Sequence, residues 1–159
     1  MAVDMFLKLD GIKGESQDHK HPGEIQIQSW SWGLSQTGTM GAGGGGGAGK
    51  VSVHDISITK NVDKASPALM LHCCNGKHIA SGLVTVRKAG DKPLEYLKMK
   101  LTDIIISSVQ NAGHGHEILT ESVTLNFGKF HIEYLEQKPD GSGQPGGEVG
   151  WDVKANVKF

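Results

Sequence analysis

The sequence predicts a mainly β protein, an antiparallel β-barrel that contains one short α-helix. Apolar and polar residues alternate with a period of two along most of the chain, as they do in half-buried strands. One segment departs from this alternation and carries helix-capping signals, and the length of 159 residues suits a single domain. We therefore expect residues 1–159 to form one barrel domain.

The strands are predicted from runs of alternating residues separated by turn-forming segments. Their phase changes within residues 24–35 and at Gly128, which indicates bulges or strands that are apolar on both faces. Residues 13–23 are predicted as a polar connection and residues 138–148 as a loop. The predicted strands span residues 4–12, 24–35, 50–60, 78–88, 94–110, 118–138 and 149–159.

The single helix is predicted within residues 66–77, with a length of about ten residues. Ser66 is of a type that caps helix N-termini, and Pro67 suits the first helical position. Asn75 and Gly76 supply the left-handed stop at the C-terminus. Local signals alone therefore predict both ends of this helix.

The composition argues against several classes of partner. There are 16 basic and 17 acidic residues, and the pI is near 6.7, so the chain has no positive field to attract nucleic acid or anionic lipid. Charged residues interrupt the N-terminal segment, so we predict neither a signal peptide nor a membrane span, and expect folding in the cytoplasm. The adjacent Cys73 and Cys74 are expected to be reduced core residues.

A glycine run ending in lysine resembles part of a phosphate-binding loop. Gly44, Gly49 and Lys50 match the motif G-x-x-x-x-G-K-[ST], but Val51 replaces the hydroxyl residue that holds the metal ion. The residues after Lys50 alternate like a strand, so no helix N-terminus follows to stabilise a phosphate. We therefore predict no nucleotide binding and no cofactor. The glycine-rich residues 41–49 are either a flexible hairpin connection or a loop that extends from the body and lies flat against a partner's backbone.

No catalytic or metal-binding constellation is predicted. The histidine pairs at positions 19 and 21 and at positions 114 and 116 are expected to be solvated loop residues rather than metal ligands. His72 and Cys73 are adjacent and project in different directions, which disfavours a nucleophile and base pair. Asp103 is expected to be a structural carboxylate, hydrogen-bonded to a loop or a neighbouring strand. The sequence therefore does not predict an enzyme.

Strands that are apolar on both faces predict contact with a further copy of the chain. In residues 102–109, Ile104 and Ile106 share one face, whereas Ile105 and Val109 share the other. A small barrel buries only one face of each strand. The second apolar face therefore indicates self-association.

Several segments carry a resemblance to a known family. They are "MFLKLDGIKGES", "EIQIQSWSWG", "GAGKVSVHDISITKNVDKASPALM", "ASGLVTVRKAG", "ESVTLNF" and "GWDVKAN", in matching order along essentially the whole chain. The sequence resembles the haemolysin-coregulated protein (Hcp) family, the tube protein of bacterial type VI secretion. The resemblance implies hexameric rings that stack into a hollow tube within a contractile sheath, carry effectors and are expelled with a spike protein, without catalysis.

The resemblance also implies roles for particular residues. Ring closure is assigned to barrel flanks that include Ile104 and Ile106, and the alternation of Trp30 and Trp32 places Ser29 and Ser31 toward the channel. The loop over residues 33–50 is implied to reach the next ring. Its stacking residues are Gly41, Ala42, Gly43, Gly44, Gly45, Gly46, Gly47, Ala48, Gly49 and Lys50. The alternative is a monomeric barrel module that binds a small ligand without catalysis.

Overall fold

A computed structural model describes residues 2–41 and 49–159. The described residues form eleven strands and one helix. In chain order these are β1 (Val3–Leu9), β2 (Ile25–Gln26), β3 (Ser29–Ser31), β4 (Leu34–Ser35), β5 (Ser52–Val53), β6 (Ile56–Asn61), α1 (Ser66–Asn75), β7 (Ile79–Lys88), β8 (Leu94–Ala112), β9 (Thr120–Gln137), β10 (Gly143–Asp152) and β11 (Val157–Lys158). No helix in residues 2–41 or 49–159 is long and apolar enough to cross a membrane.

The larger sheet is antiparallel, and the chain segment that contains β2 and β3 connects β1 to β6. β1 pairs with β7, β7 with β8, and β8 with β9, while β9 pairs with β6 through its first half and β10 through its second half. β6 then pairs with β3, and β2 pairs with β1. Between β2 and β3, the Ile27 amide donates to the Met5 carbonyl and the Gln28 amide to the Thr59 carbonyl. The predicted class, an antiparallel β-barrel with one short helix, is confirmed.

The core fills the inside of the barrel. Alternate residues of each long strand point inward, so apolar side chains from opposite walls meet and leave water. Trp30 and Trp32 pack against this core, and the Trp32 ring meets Phe130 edge-on at 4.9 Å between ring centroids. The most deeply buried members include Ile56, Ile58, Leu69, Met99, Leu101, Ile104, Ile106, Val123 and Leu125.

Four predicted segments differ from the observed strands. Residues 50–60 were predicted as one strand but contribute to both β5 and β6, and residues 149–159 form the end of β10, a turn and β11. Residues 24–35 form three short strands instead of one, because this segment pairs successively with β1, β6 and β5. Residues 138–148 were predicted as a loop, but much of this segment belongs to β10 and pairs with β9, with an irregularity between Pro145 and Gly147. The long partner strand supplies the cross-strand hydrogen bonds that override this glycine-rich composition. On the other side of β10, ladder pairing with β11 involves Trp151 and Asp152.

The helix ends as predicted but begins differently. Gly76 adopts a left-handed φ of 65° and donates its amide to the His72 carbonyl, which confirms the predicted stop. The N-cap is Ala65, without a side-chain cap, so the prediction that Ser66 caps the helix is wrong. Ser66 lies inside the helix, and its hydroxyl is 2.6 Å from Glu121 Oε1. Cys73 packs against the core, whereas Cys74 is exposed, contrary to the prediction for that residue.

A buried ion pair lies beneath the start of the helix. Lys60 is fully buried, and its Nζ donates to Glu121 Oε1 on β9 and to Asp63 Oδ1, the latter at 2.9 Å. Glu121 Oε2 accepts a hydrogen bond from Asn111 of β8 at 3.1 Å. A buried charge requires such partners because it has left water. This cluster therefore ties the helix start to β6, β8 and β9.

Residues 13–24, which we call the flap, fold over the outer side of β1 and β7. The Gly14 amide donates to the Gly23 carbonyl at 2.8 Å, and the Ser16 amide donates to the Glu24 carbonyl at 3.0 Å. A side chain at Gly14 would put its Cβ 2.5 Å from the Glu24 carbonyl oxygen, so only glycine fits there. The flap is thus an ordered part of the fold rather than a plain connection.

Candidate functional site: a hydroxyl-lined face of the barrel

Ser29 and Ser31 lie on the outer side of β3, and both are exposed. Trp30, between them, packs against the core, as the alternation predicts. In the pairing of β3 with β6, Ser29 lies opposite Thr59 and Ser31 lies opposite Ser57. The predicted outward serines therefore begin two rows of small polar residues.

These rows continue across β9 and β8. Thr59 lies opposite Ser122, and Ser57 opposite Thr124, in the pairing of β6 with β9. On β8, Gln110 lies opposite Ser122 and Ser108 opposite Thr124. We call this surface the hydroxyl face; it comprises Ser29, Ser31, Ser57, Thr59, Ser122, Thr124, Ser108 and Gln110.

The hydroxyl face carries no charged side chain, and its members are exposed or half-buried. The residues that alternate with them, such as Ile58, Val123 and Leu125, have at most 1% of their surface exposed. The period of two therefore divides β6 and β9 into an apolar inner side and a hydroxyl-bearing outer side. The face follows from the same pattern that builds the core.

Several polar groups at one end of the face are bonded to each other. The Thr124 hydroxyl lies 2.6 Å from the Ser108 hydroxyl and 2.7 Å from that of Ser107. Ser107 donates to Asp55 Oδ2 at 2.6 Å, and Asn126 donates from Nδ2 to Asp55 Oδ1 at 2.8 Å. These contacts hold the side chains in place and satisfy much of their hydrogen-bonding capacity. The face is suited to contact rather than to bond-breaking chemistry.

The loop predicted to reach a partner begins and ends on the second, two-stranded sheet. Leu34 of β4 lies opposite Val53 of β5, and Ser35 lies opposite Ser52. A strand follows Lys50, as predicted, and not the helix that a phosphate-binding loop needs. Gly41, Gly49 and Lys50 are exposed. The remaining predicted stacking residues, at positions 42–48, lie outside the described residues.

The residues predicted to form the subunit interface, Ile104 and Ile106, do not lie on the surface. Ile104 and Ile106 are 0% and 2% exposed, because they point into the chain's own core. Ile105, between them, is half-buried and lines an outer cleft with His78, Asp103 and Lys154. Both sides of this strand are apolar, so the alternation could not tell which side faces inward. Ile104 and Ile106 have no free surface to offer another subunit.

Asp103 in the same cleft is held by two basic side chains. Its carboxylate oxygens lie 2.7 Å from Lys154 Nζ and 2.6 Å from His78 Nδ1. These hydrogen bonds, from Lys154 first and then from His78, hold the pKa of Asp103 below its usual range. Its φ of 57° is unusual for a non-glycine residue. The prediction that Asp103 is hydrogen-bonded to a loop or a neighbouring strand is confirmed, because His78 lies in a loop and Lys154 in a turn.

The structure agrees with the prediction of solvated histidines at positions 114 and 116 but not at position 21. His114 and His116 are exposed, as expected, and no cluster of three or more His, Cys, Asp or Glu residues able to hold a metal exists within residues 2–41 and 49–159. His21 was also expected to be solvated, but it is only 6% exposed. One of its two carboxylate partners, Glu95, lies on a strand 74 residues away in sequence, a contact that local composition cannot show.

Comparison with known proteins agrees with this architecture. The family described as "Type VI secretion system effector, Hcp" matches residues 6–134. The chain belongs to the Hcp family of type VI secretion proteins. This Hcp chain is 52% identical to Protein hcp1 of Pseudomonas aeruginosa strain PAO1 over 162 residues, which cover 99% of each protein.

Solved structures of Hcp proteins are similar over the full length of this chain. The crystal structure of Hcp1 from Salmonella typhimurium is 37% identical and covers 100% of both chains with a TM-score of 0.80. A structure described as a type six secretion system protein is 29% identical and covers 99% of this Hcp chain and 100% of its own, with a TM-score of 0.92. The resemblance stated from sequence segments is thereby confirmed.

Sequence reasoning identified two members of the hydroxyl face and missed the other six. The missed residues carry a signal in "SIT", "SSVQ" and "ESVT", where small polar residues occupy alternate or adjacent positions. That signal acquires meaning only when the strand register aligns these segments side by side.

Proposed function

We propose that this Hcp chain is a structural, secreted subunit of the type VI secretion tube. In this proposal, six copies form a ring, rings stack into a hollow tube, and the tube carries effectors and is expelled with them. The observation that supports it most is the hydroxyl face, in register across four strands. Family membership makes the tube the natural setting for such a face.

The hydroxyl face has the properties that a channel wall requires. Its side chains are uncharged and, apart from Gln110, short, and those around Thr124 are bonded to their neighbours. A charged wall would hold cargo of opposite charge and repel cargo of like charge. An uncharged wall allows cargo of either sign to pass. We therefore assign Ser29 and Ser31, with the rest of the hydroxyl face, to the lumen.

Ring closure is assigned to a surface other than Ile104 and Ile106. Four large apolar side chains around β4, β10 and β11 remain about half exposed. They are Leu34 (48%), Val149 (47%), Val157 (50%) and Phe159 (57%). A neighbouring copy that covered them would gain about 25 cal/mol for each Å² of apolar surface removed from water.

Ring stacking is assigned to the loop at residues 41–50. A glycine-rich loop loses much backbone entropy when it is ordered, so each contact with the next ring would be weak. Repetition around a ring would make the contacts effective together. The further partners in this proposal are the spike, the sheath and the effector cargo, and export occurs without a cleaved signal peptide. Catalysis, cofactors, nucleic acid and membrane insertion have no part in it.

The packing of the described residues argues against the alternative, a barrel module that binds a small ligand. Such a module needs a cavity at the mouth or centre of its barrel. Here the interior is filled by Ile56, Met99 and Leu101, each 0% exposed.

A test of the lumen assignment is Ser31→Gln, which adds bulk to the hydroxyl face without charge. We expect the ring to stay intact and the set of small effector proteins that co-purify with it to change. Lys8→Gln places the same side chain on an exposed position of β1, outside the hydroxyl face, and should leave the cargo unchanged. Loss of the ring in Ser31→Gln, or equal effects of both variants, would contradict the assignment.

Replacing residues 41–49 by a short turn tests the stacking assignment. The barrel should fold and the ring should close, while tube growth and secretion are lost. Light scattering measures the mass of the assembly, and negative-stain images show whether rings stack. Rings without tubes support the proposal. Normal tubes, or only monomers of 16.9 kDa, would refute it.

A further inference from the structure

The flap is fastened to the barrel through His21, a residue that the proposed function does not use. His21 Nδ1 lies 2.8 Å from Glu24 Oε2 within the flap, and Nε2 lies 2.5 Å from Glu95 Oε1 on β8. The imidazole also stacks on the Phe6 ring of β1, with centroids 4.4 Å apart and an angle of 13° between the planes. One buried ring thus joins the flap to two strands of the barrel.

The protonation state of this ring decides how many of its contacts are hydrogen bonds. A carboxylate only accepts, and a neutral imidazole has one N–H donor. Neutral His21 therefore leaves one carboxylate oxygen facing a nitrogen lone pair, whereas the imidazolium donates to both Glu24 and Glu95. Both distances are short, as in charge-assisted hydrogen bonds. Only the charged ring can donate both hydrogen bonds of the closed geometry.

The surrounding charges also favour a cation at this position. The acidic groups in this region are Asp18 and Glu24 on the flap, Asp4 on β1 and Glu95 on β8. The basic groups on neighbouring strands are Arg87 of β7, which bonds Asp4 and Asp18, and Lys98 of β8, which lies 3.5 Å from Glu95. Four carboxylates thus face two permanent cations. In addition, Glu24 Oε1 is buried without a hydrogen-bond partner among the described residues.

We propose that His21 is a proton-dependent latch that holds the flap closed as an imidazolium and releases it when the proton is lost. Among unperturbed side chains, histidine is the one whose charge changes between pH 5 and 8. Release would uncover Phe6, whose ring stacks on His21 and is 2% exposed in the closed state. The same subunit would therefore present a different outer surface at mildly acidic and mildly alkaline pH.

The ionisation of Glu95 determines the lowest pH at which the latch stays closed. Burial raises the pKa of Glu95, but the hydrogen bond from His21, with help from Lys98, brings it below its usual value. A carboxylate whose pKa is lower in the folded state than in the unfolded state stabilises the folded state at pH values above the unfolded-state pKa. This stabilisation is lost as the pH falls through the folded-state pKa. The latch therefore closes where Glu95 is ionised and His21 is protonated.

Hydrogen exchange of the flap amides tests the proposal on the full chain. The Gly14, Ser16 and Gly23 amides, which hydrogen-bond within the flap, report the loosening of the flap that follows its release from the barrel. After correction for the intrinsic pH dependence of exchange, we expect their protection to fall at least about tenfold from pH 5.5 to 8.5, as for the loss of one charge-assisted hydrogen bond. Amides of the β8 and β9 core should show no such change. Flap protection that is independent of pH would overturn the proposal.

Two histidine variants locate the effect. His21→Gln cannot gain a proton, so its flap should exchange fast at both pH values. His19→Gln, two residues away on the exposed side of the same flap, should behave like the wild type. A pH dependence that survives in His21→Gln, or disappears in His19→Gln, would refute the latch.

A spectroscopic measurement on the wild-type chain keeps the test independent of any variant that fails to fold. ¹⁵N NMR of the His21 ring distinguishes the imidazolium from the neutral tautomers. Both ring nitrogens should carry protons at pH 5.5, and the transition to the neutral ring should coincide with the loss of flap protection. A neutral ring at pH 5.5, or a transition that leaves the flap amides unaffected, would contradict the proposal.

Discussion

Lys60→Met should be among the most destabilising single substitutions in this chain. The substitution keeps a long apolar stem of similar volume but removes the ammonium that bonds Glu121 and Asp63. The side chains of Lys60 and Glu121 are 1% and 0% exposed, so water cannot replace the lost partner. Glu121 would keep only the uncharged donors Ser66 and Asn111.

The magnitude follows from leaving a buried carboxylate without its counter-ion. Breaking one side of a buried pair costs about 3–5 kcal/mol, a large part of the roughly 5–15 kcal/mol that stabilises an ordinary domain. For a chain of this size, each kcal/mol lowers Tm by about 2–4 °C, so a loss of roughly 6–20 °C is expected. Urea and thermal unfolding at equal protein concentration measure it, because assembly shifts apparent stability.

A second substitution and a control separate the lost pairing from lost volume. Adding Glu121→Leu to Lys60→Met removes the stranded charge, so the double variant should recover more than half of the lost free energy of unfolding. Lys129→Met breaks an exposed pair, with 3.7 Å between Lys129 Nζ and Asp152 Oδ2, and should cost at most about 1 kcal/mol. A loss below about 1 kcal/mol in Lys60→Met, or no recovery in the double variant, would refute the reasoning.

Two further substitutions probe the flap and the cleft beside β8. In Gly14→Ala, the new Cβ would lie 2.5 Å from the Glu24 carbonyl oxygen, so we expect the free energy of unfolding in urea to fall by about 1–3 kcal/mol. Gly38→Ala, whose Cβ would have nothing within 4 Å, should be near neutral. Equal losses in the two variants would contradict this. The lowered pKa of Asp103 means that its ionised form adds stability that is lost as pH falls through that value. Asp103→Asn, which tolerates a positive φ, should therefore flatten the loss of stability at acidic pH, and unchanged acid profiles would contradict the argument.

The features predicted from sequence are those that depend on near neighbours. The stop at Gly76 needs only a residue that accepts a left-handed φ. The outward direction of Ser29 and Ser31 needs only a strand that alternates around the buried side of Trp30. The resemblance of whole segments to Hcp proteins added the family, which no periodicity provides.

The features that sequence reasoning missed depend on distant partners. Lys60 is buried because Glu121 lies across the sheet, 61 positions away, and His21 is buried because Glu95 lies 74 positions away. Residues 143–147 form a strand because β9 supplies a partner. The inward direction of Ile104 and Ile106 was ambiguous because Ile105 is equally apolar. Each of these outcomes requires the register between strands, which the local pattern does not contain.

The irregular stretch of β10 has a consequence for how this chain avoids unwanted association. A subunit that contacts its own copies must still not add strands without limit at an open sheet edge. Pro145 has no amide hydrogen to give, and the register shift between Pro145 and Gly147 interrupts the regular spacing of backbone groups. A foreign strand approaching there meets a broken ladder. The irregular stretch therefore disfavours the addition of a further strand at this edge.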